Sequence, residues 1–407
     1  MKIGRNEPLR VLVYTTLFPN SVQPLLGNFV MERMRRLRPF ADLSVIAPAP
    51  YFPKLKVHKR WHAFSQIPRS ERIAGFDISH PRFPLLPKVA MAIHGLLMFL
   101  GSVSLVSKKM REASYDIIDA HYVYPDGFAA VLLGSVFNVP VVVSARGSDI
   151  NVFPRFRTIR PLIRYVLKRA DALIAVSEPL KNAMVKLGCS PEKITVIANG
   201  VDTVKFRPCP KEEMRGLLGL PQKRPILISA GNLTPNKGFH VLLEALAGLR
   251  RPGVLLVIVG EGAYRAALER KIHELGLKDA VKLVGAQPHE EMCSWYCAAD
   301  VFCLASATEG CPNVVMEAIA CGRPVVATHA AAPVVTSPRL GILVDRKPDE
   351  LRKALDEALS RDWDQDAIAA YARAHSWDNV SARVLSVFTD VATRRNLKRA
   401  LAAPRAG

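Results

Sequence analysis

The sequence lacks the patterns of several common kinds of site. Its seven cysteines form no CxxC pair and most lie in apolar runs, so we expect buried thiols in a reducing compartment. No GxGxxG fingerprint follows a strand pattern and no Walker A sequence occurs, which argues against a dinucleotide oxidoreductase and excludes a P-loop kinase. No zinc-finger, RNP or leucine-zipper pattern occurs, so the sequence predicts no nucleic-acid partner.

Acidic residues are scarce relative to basic ones. The 407 residues hold 56 Lys and Arg against 36 Asp and Glu, a net charge of +20. Residues 1–205 carry 29 basic and 14 acidic side chains, a net charge of +15, so most of the excess lies in the first half. A basic half indicates an anionic partner, such as a phosphorylated substrate or an acidic membrane face.

Long hydrophobic runs are nearly absent. The first 16 residues lack the hydrophobic region of a signal peptide, because charged and polar residues interrupt them. Residues 89–107, VAMAIHGLLMFLGSVSLVS, carry one His and no formal charge, near the lower length of a spanning helix. Because Gly95, Gly101 and several serines count against a span, we expect a helix that is buried or docked on its domain. An interfacial membrane helix and a true span are the alternatives.

What the sequence does contain is a regular alternation of short apolar runs and helix-length segments. This pattern predicts parallel sheets covered by helices, and the length favours two doubly wound α/β domains. We place the first domain at 1–207 and the second at 225–372, joined by a proline-rich and charged linker at 208–224. Residues 373–407 are predicted to form a helical tail that crosses back to the first domain.

Ligands of open α/β sheets bind at the carboxyl ends of the strands, so polar residues there are candidates. Gly27 precedes a helix pattern, where backbone amides can face a phosphate, although a simple loop glycine is as plausible. His121 follows the strand pattern DIID; a lone histidine is more often structural, but a position at a strand end favours function. Arg146 follows the next run beside Gly147, which suits a phosphate or sugar contact.

The second half offers the same kind of candidates. Gly231, Asn232 and Lys237 lie between a strand and a helix, where a helix N-terminus and a lysine charge can hold an anionic leaving group. Gly262 and Gln287 follow two further strand patterns. No DxD-type acidic cluster follows a strand.

The most informative stretch is EGCPNVVMEAIACGRPVVAT, residues 309–328, which places Glu309 and Glu317 eight positions apart among small and apolar residues. With this element the chain resembles glycosyltransferase family 4, the retaining nucleotide-sugar transferases. LFPN, DAHYVYPDG, ARGSD, NGVD, GNLTPNKG and VGEG also occur in the order that this family shows. The similarity extends over nearly the whole chain, and the E-x7-E element is its most specific part.

The resemblance implies a GT-B architecture, in which two Rossmann-like doubly wound domains face each other across a cleft. The first domain would bind the acceptor and the second the donor, a UDP- or GDP-linked sugar. A hexosyltransferase-type, retaining transfer to a glycan or lipid-linked acceptor is implied, with no metal cofactor expected.

The resemblance also implies roles for single residues. Glu309 would face the hydroxyls of the donor sugar, Glu317 would accept from the ribose hydroxyls, and Lys237 would contact the diphosphate. Backbone amides from Gly310 to Val314 would hold donor oxygens. The full predicted site comprises the catalytic candidates His121, Arg146, Lys237 and Glu309, the acceptor-side Asp149, and the donor-binding Gly27, Gly231, Asn232, Gly262, Gln287, Gly310, Cys311, Pro312, Asn313, Val314 and Glu317.

Two positions depart from the family pattern. Asn232 stands where the family commonly has Arg, and Arg146 stands where it commonly has His. Either Arg146 supplies the missing charge or the acceptor differs; we favour the first. A non-catalytic relative that binds sugar or lipid, acting as a binding or scaffold subunit, is the alternative function. The joint presence of Glu309, Glu317, Lys237 and His121 argues against such decay.

The basic half suggests where such an enzyme works. We expect a cytoplasmic protein that attaches peripherally to the inner face of the plasma membrane through anionic lipid. The candidate contacts are the run MERMRRLRPF at 31–40 and Lys54, Lys56, Lys59, Arg60 and Trp61. The alternative is a solvated basic face with no lipid contact.

Overall fold

The computed structural model describes residues 8–24, 26–51, 59–84 and 91–402. The chain divides into two compact units. The first comprises Met1–Ala198 with Val380–Gly407, and the second comprises Asn199–Asn379.

The first unit is built on a twisted, mostly parallel sheet. Its strands are β1 Leu9–Tyr14, β2 Ala41–Ile46, β3 Ala49–Tyr51, β4 Ser70–Ile73, β5 Phe76–Ser79, β6 Arg82–Pro84, β7 Ile117–His121, β8 Val141–Ala145, β9 Ala172–Ala175 and β10 Ile194–Val196. Eight of them form one sheet in the order β10-β9-β8-β7-β1-β2-β5-β4, and β3 pairs with β6. The chain changes direction across the sheet between β1 and β7, which makes their carboxyl ends a topological switch point.

Helices cover this sheet. They are α1 Asn28–Leu37, α2 Lys59–Gln66, α3 His94–Glu112, α4 Phe128–Phe137, α5 Ser148–Asn151, α6 Arg160–Arg169 and α7 Glu178–Lys186. The strands beneath them are buried on both faces, as the patterns of β7 and β8 show. Near-continuous apolar runs in the sequence therefore correspond to central strands.

The apolar segment 89–107 falls largely on α3, with residues 89 and 90 outside the described part. The helix docks on its unit: Met98 and Ser102 are fully buried, and the Tyr14 hydroxyl lies 3.0 Å from Ser102 Oγ. The opposite face is open, because Leu96 and Leu100 are 44% and 56% exposed. Within the described residues, Met91–Glu112 is the helical stretch long and apolar enough to cross a membrane, and 22% of its apolar window is buried.

The basic residues proposed for lipid contact differ in their structural context. Lys54 and Lys56, and the side chains of Lys59, Arg60 and Trp61, lie outside the described residues. In the run 31–40, Arg33 is fully buried. Arg33 is therefore removed from the set of predicted surface contacts, because α1 turns it toward the sheet.

The second unit contains a six-stranded parallel sheet. Its strands are β11 Ile226–Ala230, β12 Leu255–Val259, β13 Val281–Gly285, β14 Val301–Leu304, β15 Val325–Thr328 and β16 Gly341–Val344. Their order is β13-β12-β11-β14-β15-β16, so the switch point lies between β11 and β14. Its helices are α8 Lys211–Leu217, α9 Phe239–Ala247, α10 Arg265–Glu274, α11 Met292–Ala298, α12 Asn313–Ala320, α13 Pro348–Ser360 and α14 Gln365–Ala374. The last helix, α15 Trp377–Ala402, begins in this unit and continues in the first.

The division between the units differs from the sequence boundaries at 207 and 372. Residues 199–207 belong to the second unit, because Val201 and Phe206 lie in its core. The stretch predicted as a linker, 208–224, contains α8, whose buried Arg215 donates to Asp300 Oδ2 at 2.8 Å and to the Ala298 carbonyl. A charged segment can thus be part of a core when its charges are paired.

The last helix returns to the first unit from Val380 onward. The Ser381 hydroxyl donates to the Arg33 carbonyl at 3.3 Å, and Arg383 donates to the Val196 carbonyl at 2.7 Å. Val384 and Phe388 are fully buried on the same side of the helix. The four-residue spacing of these two side chains explains the amphipathic pattern in the tail.

Candidate functional site

The switch point of the second unit brings Lys237 and Glu309 together. Lys237 follows β11 and Glu309 follows β14, and the Lys237 Nζ lies 2.7 Å from Glu309 Oε1. The Ser306 hydroxyl donates to the same oxygen at 2.6 Å. The two charged side chains are only 21% and 12% exposed, so their ion pair lies in a partly desolvated position.

Gly238 determines where Lys237 stands. Its φ is +72°, and a Cβ at this position would lie 1.9 Å from the Ala305 carbonyl oxygen. The start of α9 therefore packs backbone to backbone against the end of β14. The Ala307 amide also donates to the Asn236 carbonyl at 2.8 Å, which ties the two loops together. Only glycine combines this φ with this approach.

A second close backbone contact lies beside Lys237. A Cβ on Gly260 would lie 2.0 Å from the Gly231 carbonyl oxygen, and one on Gly262 would lie 2.3 Å from that of Leu233. The lysine side chain passes over Gly231, with its Cε 3.6 Å from the position of a Cβ there. Gly231 thus lies directly beneath the Lys237 side chain, and Gly262 allows the close approach to Leu233.

Glu317 lies on α12 and has its own set of partners. The Tyr296 hydroxyl donates to Glu317 Oε2 at 2.8 Å, and His289 Nε2 lies 3.1 Å from Glu317 Oε1. Lys205 Nζ donates to His289 Nδ1 at 2.7 Å, so His289 donates from Nε2 to the carboxylate. Burial, reinforced by Glu317, raises the pKa of Tyr296, which keeps this hydroxyl protonated.

The segment before α12 is the predicted donor loop. Asn313 begins the helix and its Oδ1 accepts from Asn199 Nδ2 at 2.9 Å. Pro312 occupies the N-cap position, and its side chain cannot accept from the amides of the first turn. Proline has no backbone N–H, so Pro312 cannot be one of the predicted amide donors. The contacts of the Gly310, Cys311, Asn313 and Val314 amides with a donor stay predictions.

Two predicted donor contacts differ in exposure. Asn232 is exposed in the loop after β11. Gln287 is half-buried, and its side-chain amide donates to the Val284 carbonyl at 2.8 Å. The contacts of both residues with a donor stay predictions.

In the first unit, the pairing of β7 with β8 brings His121 and Arg146 together. His121 is opposite Ser144 in the parallel register, and Arg146 comes two residues after Ser144 on the same face. Arg146 Nη2 donates to His121 Nδ1 at 2.5 Å, while His121 Nε2 lies 3.0 Å from Asp119 Oδ2. Burial lowers the pKa of His121 to about 4, so the ring is neutral at pH 7.

Arg33 is a charged residue of this region that the sequence did not single out. Its side chain is fully buried, and Nη1 donates to Ser144 Oγ at 3.0 Å. Burial lowers its pKa to about 10 and the nearby Asp119 opposes this, so Arg33 remains charged at neutral pH. Among the described residues, its Nε and Nη2 have no hydrogen-bond partner. Arg33 is one of several arginines on α1, so nothing in the sequence distinguishes it as the buried one.

Asp149 holds the loop that carries Arg146. Its carboxylate accepts from the amides of Val123 and Gly147, both at 2.8 Å, and from that of Arg146 at 3.1 Å. The Arg146 guanidinium also lies 4.9 Å from the centre of the Phe29 ring. These contacts give Asp149 a positioning role, and its contact with an acceptor stays a prediction.

Gly27, before α1, has a clear structural requirement. Its φ is +64°, and a Cβ there would lie 2.2 Å from the Leu17 carbonyl oxygen. This close approach brings the start of α1 against the end of β1. The contact of Gly27 with a donor phosphate stays a prediction.

Comparisons with known proteins identify the family. The sequence profile described as "Glycosyl transferases group 1" matches residues 210–375, and that of "Glycosyltransferase Family 4" matches residues 62–205. D-inositol 3-phosphate glycosyltransferase of Corynebacterium urealyticum is 33% identical over 73% of this chain and 76% of its own length. TuaC of Bacillus subtilis, a glycosyltransferase assigned to teichuronic acid biosynthesis, is 28% identical over 79% and 81%.

Solved structures show the same fold. Sucrose-phosphate synthase of Thermosynechococcus elongatus has a TM-score of 0.76 at 20% identity, covering 95% of this chain and 99% of its own. HepE of Anabaena in complex with UDP has a TM-score of 0.71 at 21% identity, covering 94% and 100%. The chain therefore belongs to the family 4 glycosyltransferases and has their GT-B architecture.

Proposed function

We propose that the protein transfers a sugar, with retention of configuration, from a UDP- or GDP-sugar to a glycan or lipid-linked acceptor in cell-surface polysaccharide or glycolipid synthesis. The ion pair between Lys237 and Glu309 at the β11/β14 switch point carries this proposal. It is supported by the names of the relatives, which concern inositol phosphate glycosides and teichuronic acid, and by the UDP complex of HepE.

The first step of the proposed reaction breaks the bond between the sugar and the diphosphate. Negative charge then accumulates on the nucleoside diphosphate, and fixed cations and helix N-termini aimed at that charge are the largest available catalytic contribution. Lys237 is the cation, and the amides at the start of α12 are the dipoles. This arrangement needs no metal at the diphosphate.

Glu309 orients the donor sugar in this proposal. Its carboxylate accepts from Lys237 and Ser306 through one oxygen, Oε1. When the diphosphate arrives and attracts Lys237, the carboxylate becomes available to the sugar hydroxyls while Ser306 keeps it oriented. Retention follows if the acceptor attacks from the face that the diphosphate leaves, so Glu309 acts by positioning and need not form a covalent bond.

Glu317 is proposed to accept from the two ribose hydroxyls. Tyr296 donates to one of its oxygens and His289 to the other, and each carboxylate oxygen retains a second lone pair. The three side chains are thus arranged before the nucleotide binds, which reduces the entropy cost of binding.

On the acceptor side, we propose that Arg146 compensates for the family arginine that Asn232 replaces. Arg146 is held by His121 and by the Phe29 ring. Neutral His121 accepts through Nδ1 and so leaves the full positive charge on the guanidinium.

The proposed cellular site is the cytoplasmic face of the membrane. Leu96 and Leu100 on the exposed side of α3, and Ile93 just before this helix, lie within the half of the chain that carries the excess positive charge. Apolar insertion and attraction to anionic lipid would act together on such a surface.

The test is sugar transfer by the purified protein. UDP- and GDP-sugars are first screened by thermal shift, and nucleotide release is then measured with extracts of lipid-linked and soluble glycans as acceptors. The anomeric configuration of the product is determined by NMR. We expect transfer with retention, and loss of transfer in Glu309→Gln and Lys237→Met. The control is Lys353→Met, an exposed lysine on α13.

Three results would count against parts of the proposal. An inverted product would overturn the retaining mechanism. Unchanged transfer by both site variants would overturn the site. Donor binding without hydrolysis or transfer across the panel would favour the non-catalytic relative.

A further inference from the structure

Four of the seven cysteines meet at one place in the second unit. The Sγ atoms of Cys209, Cys293 and Cys297 all lie within 4.8 Å of one another. The Sγ of Cys321 lies 3.8 Å from that of Cys293. None of the four belongs to the contacts described for Lys237, Glu309 or Glu317.

The fold explains why the sequence does not reveal this cluster. Cys293 and Cys297 are four residues apart on α11 and therefore share one face of the helix. Cys209 comes from the stretch before α8, and Cys321 caps the end of α12. The stretch before α8 thus supplies one thiol, α11 supplies two, and the end of α12 supplies the fourth.

We propose that Cys209, Cys293, Cys297 and Cys321 form a structural site for one thiophilic divalent cation, of which zinc is the best match. In a tetrahedral zinc site with Zn–S bonds of about 2.3 Å, the sulfur atoms lie roughly 3.8 Å apart. The distance between Cys293 and Cys321 already has this value. The Sγ atoms of Cys209 and Cys297 lie within 4.8 Å of that of Cys293, so each needs to approach it by about 1 Å, a side-chain adjustment.

The geometry distinguishes a mononuclear site from two other uses of cysteine. A disulfide would require sulfur atoms about 2.05 Å apart, which is much closer than the 3.8 Å between Cys293 and Cys321. An iron–sulfur cluster holds its cysteines around several metal atoms, so their sulfurs lie farther apart than those of a single tetrahedral ion. Soft thiolate ligands in a closed set of four are typical of structural zinc.

Protons and charge balance in the proposed site. The Arg207 carbonyl accepts from Cys209, Cys293 and Cys297 at 3.7, 3.5 and 3.3 Å. When the cation binds, the four thiols release their protons to solvent and four thiolates with one Zn²⁺ carry a net charge of −2.

Arg323 offsets part of this charge. Its side chain is 2% exposed and donates to the carbonyls of Cys321 and Ala299, both at 3.0 Å. A buried guanidinium beside a thiolate site stabilises the deprotonated ligands.

The site would join the stretch before α8 to α11 and α12. Tyr296 lies on α11 between the two cysteines of that helix, and Glu317 lies four residues before Cys321. A cation bound by these segments would therefore fix α11 and α12 relative to each other and so stabilise the Tyr296–Glu317 hydrogen bond. The metal site itself does not depend on the proposed activity, so it is tested without a substrate.

The experiment measures metal content and coordination in the full chain. The protein is purified under reducing conditions, and zinc is counted by mass spectrometry of the elements. Zinc is then replaced by Co²⁺, whose thiolate charge-transfer and d–d absorption bands report four sulfur ligands in tetrahedral geometry. We expect one zinc per chain and the tetrathiolate cobalt spectrum. This measurement needs no variant.

Variants assign the ligands. Cys209→Ser and Cys297→Ser each remove one sulfur, and we expect zinc affinity to fall by more than the about 10- to 100-fold cost of altering a second shell. Cys209 is only partly buried, so its variant is the safer for folding. The control is Cys303→Ala, whose buried thiol lies in β14 outside the cluster. It should retain zinc.

Several outcomes would overturn the proposal. Reduced protein that takes up neither zinc nor cobalt has no such site. Zinc bound equally well by Cys209→Ser and Cys297→Ser lies elsewhere. A Cys293–Cys321 disulfide in protein isolated without oxygen and without chelator would assign the cluster to redox chemistry instead.

Discussion

Lys237 Nζ and Glu309 Oε1 lie 2.7 Å apart at the β11/β14 switch point, although 72 residues separate them in the chain. The pair satisfies two charges that would otherwise be costly in a partly desolvated position. In the proposed reaction, an arriving diphosphate would compete for the lysine and free the carboxylate. The two side chains are therefore coupled before any donor binds.

This coupling predicts the kinetics of Lys237→Met and Glu309→Gln. Lys237→Met should lower kcat/KM by about 10²–10³, the usual cost of losing a group that stabilises developing charge. We expect a loss of about the same size for Glu309→Gln, because the sugar is then no longer held in the reactive orientation. The double variant should lose much less than the product of the two effects, because the residues act as a unit. Strictly multiplicative losses would show that the residues act independently.

Tyr296→Phe tests the support behind Glu317. Losing one hydrogen bond to a charged acceptor costs about 1.5–3 kcal/mol, so we expect the dissociation constant for UDP or GDP to rise roughly 10- to 150-fold. Isothermal titration calorimetry measures the change. Tyr371→Phe is the control, because its hydroxyl contacts Thr336 at 3.1 Å, away from Glu317. If Tyr296→Phe and the unsubstituted protein bind UDP and GDP with equal affinity, the Tyr296–Glu317 hydrogen bond does not contribute to nucleotide binding.

Gly238→Ala tests the close contact that positions Lys237. Its Cβ would lie 1.9 Å from the Ala305 carbonyl oxygen at a φ of +72°. Gly253 has a similar φ of +77° but nothing within 4 Å, so Gly253→Ala carries the backbone strain without the clash. We expect Gly253→Ala to cost about 1 kcal/mol and Gly238→Ala clearly more, measured by urea unfolding. Similar costs would mean that the two loops separate freely.

His121→Asn tests the buried neutral histidine. Burial lowers the pKa of His121 from 6.5 to about 4 in the folded protein, so on acidification the unfolded chain binds this proton first. Its contribution to stability is complete above pH 6.5 and is lost as the pH falls toward 4. The free energy of unfolding, relative to His121→Asn, should fall by up to about 1.4 kcal/mol per pH unit in that range.

The unsubstituted protein must be compared with His121→Asn, because another group titrates in the same pH range. Burial raises the pKa of Asp126 to about 7, and this gives the opposite slope in the same range. The Asp126 contribution cancels in the difference, because both proteins contain it. A difference that does not vary with pH would mean that His121 is hydrated.

Membrane attachment is tested with vesicles. Binding to vesicles that contain phosphatidylglycerol should weaken as salt rises, because screening shortens the range of attraction to about 8 Å at physiological ionic strength. Leu96→Ser with Leu100→Ser should reduce binding, whereas Leu217→Ser, 70% exposed on α8, should not. If vesicle binding does not depend on lipid charge, on salt or on the α3 substitutions, the basic half is a solvated surface with no role in membrane attachment.

Local sequence was sufficient for much of the fold. The apolar runs that end in Ala230 and Leu304 are buried strands, and the glycine before α9 marks the start of that helix. Glu309 and Lys237 were recognisable because polar residues after parallel strands must meet at one edge of the sheet. The same logic, through the pairing of β7 and β8, brought out His121 and Arg146.

The residues that were missed depend on contacts between distant segments. Arg33 resembles its basic neighbours in α1, and only the approach of this helix to β8 buries it against Ser144. The partners of Glu317, Tyr296 and His289, come from another helix and from the loop before it. The charged stretch 208–224 is predicted as a linker from its composition, because no local pattern indicates that Arg215 pairs with Asp300.

The sequence by itself determined the parallel α/β class, the two series of strands, the family, and the two glutamates of the E-x7-E element. These properties follow from the periodicity of apolar residues and from polar residues that directly follow the strands in the sequence. Only the tertiary structure decided which charges are buried, which carboxylate each hydroxyl serves, and that four unrelated cysteines converge. Those properties depend on distances between segments, which packing sets and no local pattern records.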